Sequence, residues 1–218
     1  QEFPYTTVVT DSVTSDELAV FLQEKLHMRH HRYKRGYRNV IDEAIRLNQE
    51  GISCPLAIET SGHAALKENH FLDDGMYLAT VLIVKAMQLK KEGKTLSNLI
   101  ADLPEPVESQ EIRLNILEDD FHACGQRAID QVMTYAQSHK DWHIAGDNRE
   151  GVRISFDLDG GKDNGWFLLR LSVHDPVLPL NIESDVQGGI RTMLSSLYDA
   201  LKETRGIDLA PMQALIQA

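Results

Sequence analysis

The stretch LAIETSGHAALKENHFLDDGMYLA, residues 56–79, determines how the first part of the chain folds. It begins as a short apolar strand and then places a carboxylate, a hydroxyl and an imidazole within five positions, at Glu59, Ser61 and His63. In open α/β sheets, ligands bind beyond the carboxyl ends of strands. The stretch therefore predicts either a ligand-binding turn or an ordinary polar turn that happens to contain a histidine.

The same stretch ends in a long apolar helix. Asp73 and Asp74 open it, and an acidic residue suits the positive N-terminal end of a helix better than it suggests a metal site here. Apolar residues cover most of the helix circumference up to Ala86. The pattern predicts that this helix is buried against a sheet.

Strands and helices alternate on both sides of this stretch. The predicted elements are a strand in 5–13, a helix in 14–28, a helix in 38–51, a strand in 55–60 and the helix in 73–93. Such alternation is typical of α/β domains. Residues 1–105 are therefore predicted to form an α/β three-layer domain.

The composition changes at DLPEPVES, residues 102–109, where two prolines and three acidic residues mark a domain boundary. The pattern that follows is β-α-β-β-β-α, with a hairpin signal around the polar turn GGKDNG. Residues 106–218 are predicted to form an α+β domain with an antiparallel sheet and two helices.

The bulk composition limits the class of protein. The 218 residues carry a net charge of −11, which argues against binding to nucleic acid or to a membrane surface. Cys54 and Cys124 match no metal or redox spacing, so we expect reduced thiols and a cytoplasmic protein. No apolar run is long enough to span a membrane, and no signal peptide is visible. The chain begins almost directly in a strand and reads as part of something longer.

Two further segments carry candidate chemistry. HMRHHRYKRGYR, residues 27–38, contains five basic residues and no acid, which is typical of a solvated basic face or of a funnel for an anionic small molecule. A zinc site from His27, His30 and His31 is disfavoured because no cysteine or carboxylate has suitable spacing. Around residues 168–178, an arginine fork, a hydroxyl and turn N–H groups could form a phosphate cradle or an ordinary turn.

These motifs occur in an order that resembles one known family. A basic K-x-G segment (Lys34, Gly36) is followed by E-x-S-G-H (residues 59–63), by D-D-G at a helix start, by a proline-marked junction and by an R-x-S-x-x-D-P loop (residues 170–176). This order resembles the third and fourth domains of the α-D-phosphohexomutases, the phosphoglucomutase/phosphomannomutase family. The resemblance extends from about residue 5 to residue 201.

The resemblance implies a division of roles. Glu59 and Ser61 match the family's ligands of sugar hydroxyls, and His63 matches a histidine near the reacting centre. Lys34, Gly36 and Tyr37 match the basic segment at the cleft. Residues of the last domain would bind the substrate phosphate: Arg170, Ser172, Val173 and His174. The expected ligand is a hexose phosphate, and the expected partners are the N-terminal domains of the same chain.

Two family signatures are absent, namely the S-H-N-P-type loop that carries the transferable phosphate and the D-G-D-G-D-R loop that holds magnesium. The resemblance therefore implies Mg²⁺ and a glucose or mannose 1,6-bisphosphate for the full-length enzyme, but no metal, cofactor or catalytic residue in this chain, which alone should be inactive. DLDGGKD, residues 157–163, only superficially resembles a metal loop. Alternatives are a stand-alone sugar-phosphate-binding protein, or a family mutase that acts on amino-sugar or pentose phosphates. The sequence encoded upstream would separate these alternatives.

Overall fold

The computed structural model describes residues 3–217, which form two compact units that divide between Glu105 and Pro106. The first unit contains four strands and three helices: β1 Thr7–Thr10, α1 Asp16–Glu24, β2 Arg29–Arg32, α2 Tyr37–Gln49, β3 Leu56–Ile58, β4 Ala64–Leu66 and α3 Gly75–Lys91. The second contains five strands and three helices: β5 Glu108–Asn115, α4 Phe121–Ser138, β6 Trp142–Ile144, β7 Val152–Phe156, β8 Gly165–Leu169, β9 Val177–Ser184, α5 Gly189–Leu201 and α6 Ala210–Gln217.

The sheet of the first unit has the order β2-β1-β3-β4, in which β1 pairs in parallel with β2 and β3, and β4 is antiparallel. Successive residues of a strand point to opposite faces. On one face Val9 and Ala57 pack against α2, and on the other Val8 lines an apolar cavity together with Leu18 and Leu22 of α1. The sheet therefore lies between two helices, which confirms the predicted α/β three-layer class.

Two strands of this sheet were not predicted. β2 lies inside the basic segment, and its sequence RHHR hides the strand because none of its residues is apolar. Arg32 is nevertheless buried, and its guanidinium donates to the carboxylate of Asp16 at 2.7 Å. Pairing with β1 therefore overrides the polar composition of this strand. The second missed strand, β4, has only three residues.

The prediction that helix α3 is buried was wrong. Leu82, Ile83 and Met87 are about half exposed or more, and Leu89 is the one buried residue of this helix within residues 3–217. The helix is apolar on all sides, so its sequence specifies no single face that must contact the sheet. In the structure it packs against the short 3-10 turn at Leu96–Leu99.

The second unit is a five-stranded antiparallel sheet of order β5-β9-β8-β7-β6 with helices α4 and α5 packed against it, as the α+β prediction requires. Its core is formed by inward residues of alternate strand positions, such as Ile154, Phe167 and Leu180, against Val132 and Leu197 of the helices. The sequence did not predict the three-residue edge strand β6 or the third helix, α6, which packs on α5 and β5.

Candidate functional site

The first unit brings polar residues together at one edge of its sheet. Asp11 follows β1, Gly36 lies beyond β2, and Glu59 follows β3 directly. Because these three strands are parallel, their carboxyl ends meet at the same edge. The structure therefore joins the loop of residues 59–63 to the segment that contains Lys34, Gly36 and Tyr37.

Glu59 is the centre of this arrangement and is only 7% exposed. One carboxylate oxygen accepts from the backbone N–H of Gly36 at 2.5 Å, and the other accepts from the hydroxyl of Ser61 at 3.3 Å. Gly36 is the N-cap of α2, where a carboxylate interacts favourably with the positive end of the helix. Glu59 thus links the third strand to the start of the second helix.

The loop after Glu59 is tight and exposed. The N–H of Gly62 donates to the carbonyl of Glu59 at 2.9 Å, and the N–H of Glu59 donates to the carbonyl of His63 at 2.9 Å. Ser61 and His63 consequently lie at the surface. The His63 ring stacks on Tyr37 with ring centroids 5.3 Å apart. Ser61 offers a hydroxyl to a ligand, and the stacked rings of His63 and Tyr37 offer a flat aromatic surface.

The acidic pair at the start of α3 has two separate partners. Asp73 accepts from Nδ1 of His63 at 2.7 Å, which fixes the orientation of that imidazole. Asp74 is the N-cap of α3, and the hydrogen bonds from the N–H groups of Tyr77 and Met76 lower the pKa of its carboxyl. Only Asp74 caps the helix, while Asp73 belongs to the candidate site.

Asp11 was not among the predicted residues, although it belongs to the same edge. It is fully buried, and its carboxylate accepts from the N–H and the hydroxyl of Thr60 at 3.2 and 2.7 Å and from the hydroxyl of Thr14 at 3.0 Å. It therefore holds the loop of residues 59–63 against the end of β1. The sequence feature that could have identified Asp11 is its position directly after a β-branched strand.

In the basic segment of residues 27–38, some side chains form hydrogen bonds within the unit and others are exposed. His30 bonds to Thr10 at 2.6 Å and His31 bonds to Glu43 at 2.8 Å. These histidines are consecutive on a strand and point to opposite faces, so they cannot share a metal ion. Lys34 is exposed at the sheet edge.

The loop that connects β8 to β9, residues 170–176, is the second candidate site. The N–H of Arg170 donates to the carbonyl of Pro179 at 3.1 Å, and the N–H of Ser172 donates to the carbonyl of Val177 at 3.1 Å. These two hydrogen bonds extend the strand pairing into the loop. At the other end, the N–H of Ile116 donates to the carbonyl of Pro176 at 2.8 Å. We call residues 170–176 the Arg170 loop.

The tip of the Arg170 loop offers hydrogen-bond donors to solvent. The hydroxyl of Ser172 accepts from the N–H of Asp175 at 3.2 Å and keeps its own proton available for donation. Val173 and His174 are exposed, and their N–H groups donate to no group within residues 3–217. An arginine, a hydroxyl and backbone N–H groups without an acceptor among the described residues suit an anion when they lie on one turn.

One group of side chains has the spacing of metal ligands within the described part of the chain. His143, Asp157 and Asp163 offer ligand atoms that all lie within 4.8 Å of one another. Magnesium prefers an octahedral shell of oxygen ligands, which an imidazole does not supply. These residues therefore do not fit Mg²⁺.

The family model described as phosphoglucomutase/phosphomannomutase, alpha/beta/alpha domain III matches residues 1–107. A phosphomannomutase/phosphoglucomutase of Pseudomonas putida is 33% identical over 132 residues, which are 60% of this chain and 25% of that protein. A phosphoglucomutase of Neisseria gonorrhoeae is 26% identical over 62% of this chain and 26% of its own length. The chain spans about a quarter of the length of these curated relatives.

Solved structures agree on the fold of almost the whole chain. A phosphoglucomutase/phosphomannomutase family protein from Burkholderia thailandensis covers 93% of this chain, with 23% identity and a TM-score of 0.69, and the match is 38% of that protein. An N-acetylphosphoglucosamine mutase of Aspergillus fumigatus, solved with GlcNAc-6P and magnesium, has 11% identity and a TM-score of 0.56 over 91% of this chain and 39% of its own. Among residues 3–217, no helix has the length and apolarity that crossing a membrane requires.

Proposed function

Because residues 1–107 place this chain in the phosphoglucomutase/phosphomannomutase family, we propose that it is the substrate-binding part of a hexose-phosphate mutase. In such an enzyme, an isomerase, a phosphoryl group is exchanged between the 1- and 6-positions of the sugar. Phosphoryl transfer depends on positioning and charge neutralisation, and the phosphoserine and magnesium loops that provide these are absent from this sequence. We therefore assign substrate binding, and no chemical step, to these residues. The two free, buried cysteines support a cytoplasmic location.

In the first unit, Glu59, Ser61 and His63 would bind sugar hydroxyls. The observation that carries this assignment is the buried Glu59 carboxylate, which lies where three parallel strands end and has exposed Ser61 beside it. A carboxylate offers about four acceptor positions, and two donors occupy it here. Lys34, Gly36 and Tyr37 would complete the edge, with Lys34 as the positive charge and Tyr37 as the support of the imidazole.

In the second unit, the Arg170 loop would hold the substrate phosphate. The guanidinium of Arg170 has the planar fork that matches two phosphate oxygens, and Val173 and His174 are exposed residues of the same loop. Val173 contributes only its backbone, because its side chain is apolar and 72% exposed. His174 could add a donor from its ring.

The test is an amide NMR titration of the 218-residue chain with glucose 6-phosphate, mannose 6-phosphate and inorganic phosphate. We expect all three to shift the amides of residues 170–176, and only the sugar phosphates to shift those of residues 59–63. A hydrogen bond to a charged group contributes about 1.5–3 kcal/mol, so R170A should weaken phosphate binding by roughly 10- to 100-fold. R170K should bind better than R170A and worse than the unchanged chain.

The matched control is R113A, which removes an arginine that is 70% exposed on β5 of the same unit. It should leave the affinity for phosphate within about twofold, because an exposed charge contributes little. The proposal fails if the phosphate-dependent shifts lie away from residues 170–176, or if R170A binds phosphate as tightly as the unchanged chain does.

A further inference from the structure

Two glycines of the second unit lie directly against the first residues of the Arg170 loop. Gly151, which precedes β7, has φ +55° and no room for a side chain: a Cβ there would be 2.2 Å from the carbonyl oxygen of Leu169 and 2.8 Å from Cα of Arg170. Contacts below 3.0 Å are essentially never found for a real Cβ. Since both groups are backbone, neither can rotate away.

Gly125 of helix α4 lies against Leu171, the second residue of the Arg170 loop. It lies in the interior of α4, where glycine weakens a helix relative to alanine. A Cβ at this position would be 2.4 Å from Cδ1 of Leu171 and 3.2 Å from Cδ1 of Ile116. The absence of a side chain therefore leaves the space that Leu171 occupies.

The segment around Gly151 is itself held in place. The side-chain amide of Asn148 donates to the carbonyl of Gly151 at 3.1 Å, and its oxygen accepts from the N–H of Arg153 at 3.2 Å. One side chain thus fixes the backbone on both sides of Val152. Gly151 is therefore a fixed backbone position that lies in close contact with Arg170.

From these contacts we propose that Gly151 and Gly125 are positioning residues for phosphate binding by the Arg170 loop. Gly151 sets the backbone of Arg170, and Gly125 sets Leu171, so together they determine where the guanidinium, the Ser172 hydroxyl and the N–H groups of the turn are presented. Bidentate recognition of phosphate depends on the exact placement of the arginine fork. A shift of about 1 Å at a binding group costs up to about 100-fold in some sites. This inference rests on the proposed function of the loop.

The first test compares G151A with two controls that have the same kind of backbone strain. Gly160 and Gly188 both have φ +79°, and a Cβ at either would meet no atom within 4 Å. We expect G151A to weaken binding of inorganic phosphate by at least about tenfold and to shift the free-state amides of residues 170–172. G160A and G188A should stay within about twofold of the unchanged chain, because no such contact exists there.

The second test uses the contact between Gly125 and Leu171 and remains decisive if G151A does not fold. G125A should weaken phosphate binding, and the double variant G125A/L171A should bind like L171A, because the shorter side chain removes the clash. The inference is overturned if G151A folds and binds phosphate normally, or if G125A loses the same affinity with and without L171A. Failure of the unchanged chain to bind phosphate at residues 170–176 would instead refute the function proposed for the loop, and the inference with it.

Discussion

Replacement of Glu59 by alanine should destabilise the first unit as well as abolish the sugar binding proposed for it. The carboxylate is 7% exposed and accepts from the N–H of Gly36 at 2.5 Å. Its removal leaves the half-buried N–H of Gly36 without its acceptor, which costs up to about 1–3 kcal/mol. It also removes a negative charge from the N-terminal end of α2, which contributes about 0.3–1 kcal/mol. One kcal/mol corresponds to about 4–8 °C in the melting temperature of a domain of this size, so we expect a decrease of roughly 5–30 °C.

The assay can separate the two units, because both tryptophans, Trp142 and Trp166, lie in the second. Thermal unfolding of the first unit can be followed through the NMR amide signals of β1 and α2, and that of the second through tryptophan fluorescence. Glu59→Ala should lower the first midpoint and leave the second unchanged. Glu59→Gln keeps an oxygen that can accept from the N–H of Gly36. Its first-unit midpoint should therefore lie between those of Glu59→Ala and the unchanged chain.

Ser61→Ala is the matched control for stability. Ser61 is exposed, and it loses only the 3.3 Å hydrogen bond to Glu59. Its midpoint should change by no more than the loss of one exposed hydrogen bond produces. If Glu59→Ala melts at the temperature of the unchanged chain, the carboxylate does not support the start of α2, and the reasoning from burial is refuted.

Two further predictions concern the second unit. Glu108 of β5 accepts from the N–H groups of Gly188 and Ile190 at 2.7 and 3.0 Å, and so caps helix α5, which has no side-chain cap of its own. Glu108→Ala should lower the free energy of unfolding by about 0.5–2 kcal/mol, as measured by urea unfolding followed through tryptophan fluorescence. An unchanged urea midpoint would contradict this prediction. The hydrogen bond with Asp163 raises the pKa of His143, so the stability from this pair is present in full below the unfolded-state pKa of histidine and is lost as the pH rises through the raised value. His143→Gln should therefore melt earlier than the unchanged chain at pH 5.5 but not at pH 9, and a difference that persists at pH 9 would argue against an ionic origin.

The sequence predicted those elements whose residue types or apolar spacing are typical of a strand or a helix. β1 was visible from its β-branched residues, β3 from its short apolar run and α2 from apolar residues at helical spacing. β2 was not, because its partners are polar: His30 bonds to Thr10, His31 to Glu43, and Arg32 to Asp16. A strand that is stabilised by side-chain hydrogen bonds gives no hydrophobic signal, and only the pairing with β1 reveals it.

The candidate sites show the same limit. The residues proposed to bind the ligand, such as Glu59 and Arg170, were named from their chemistry and their place at strand ends. The residues that support them could not be, because their roles depend on distances between segments far apart in the chain. Asp11 and Thr60 are 49 positions apart, and Gly125 and Leu171 meet only when α4 packs on the sheet.

Two buried carboxylates at the same sheet edge illustrate how burial separates support from recognition. Asp11 is fully buried and accepts three hydrogen bonds, all from the protein, so it has little capacity left for a ligand. Glu59 accepts two, and one of these comes from Ser61, whose hydroxyl is itself exposed. A ligand hydroxyl could therefore replace or share that second donor without leaving Gly36 unpaired. We infer that Glu59 can serve sugar recognition through one oxygen while the other holds the helix, whereas Asp11 serves the loop alone.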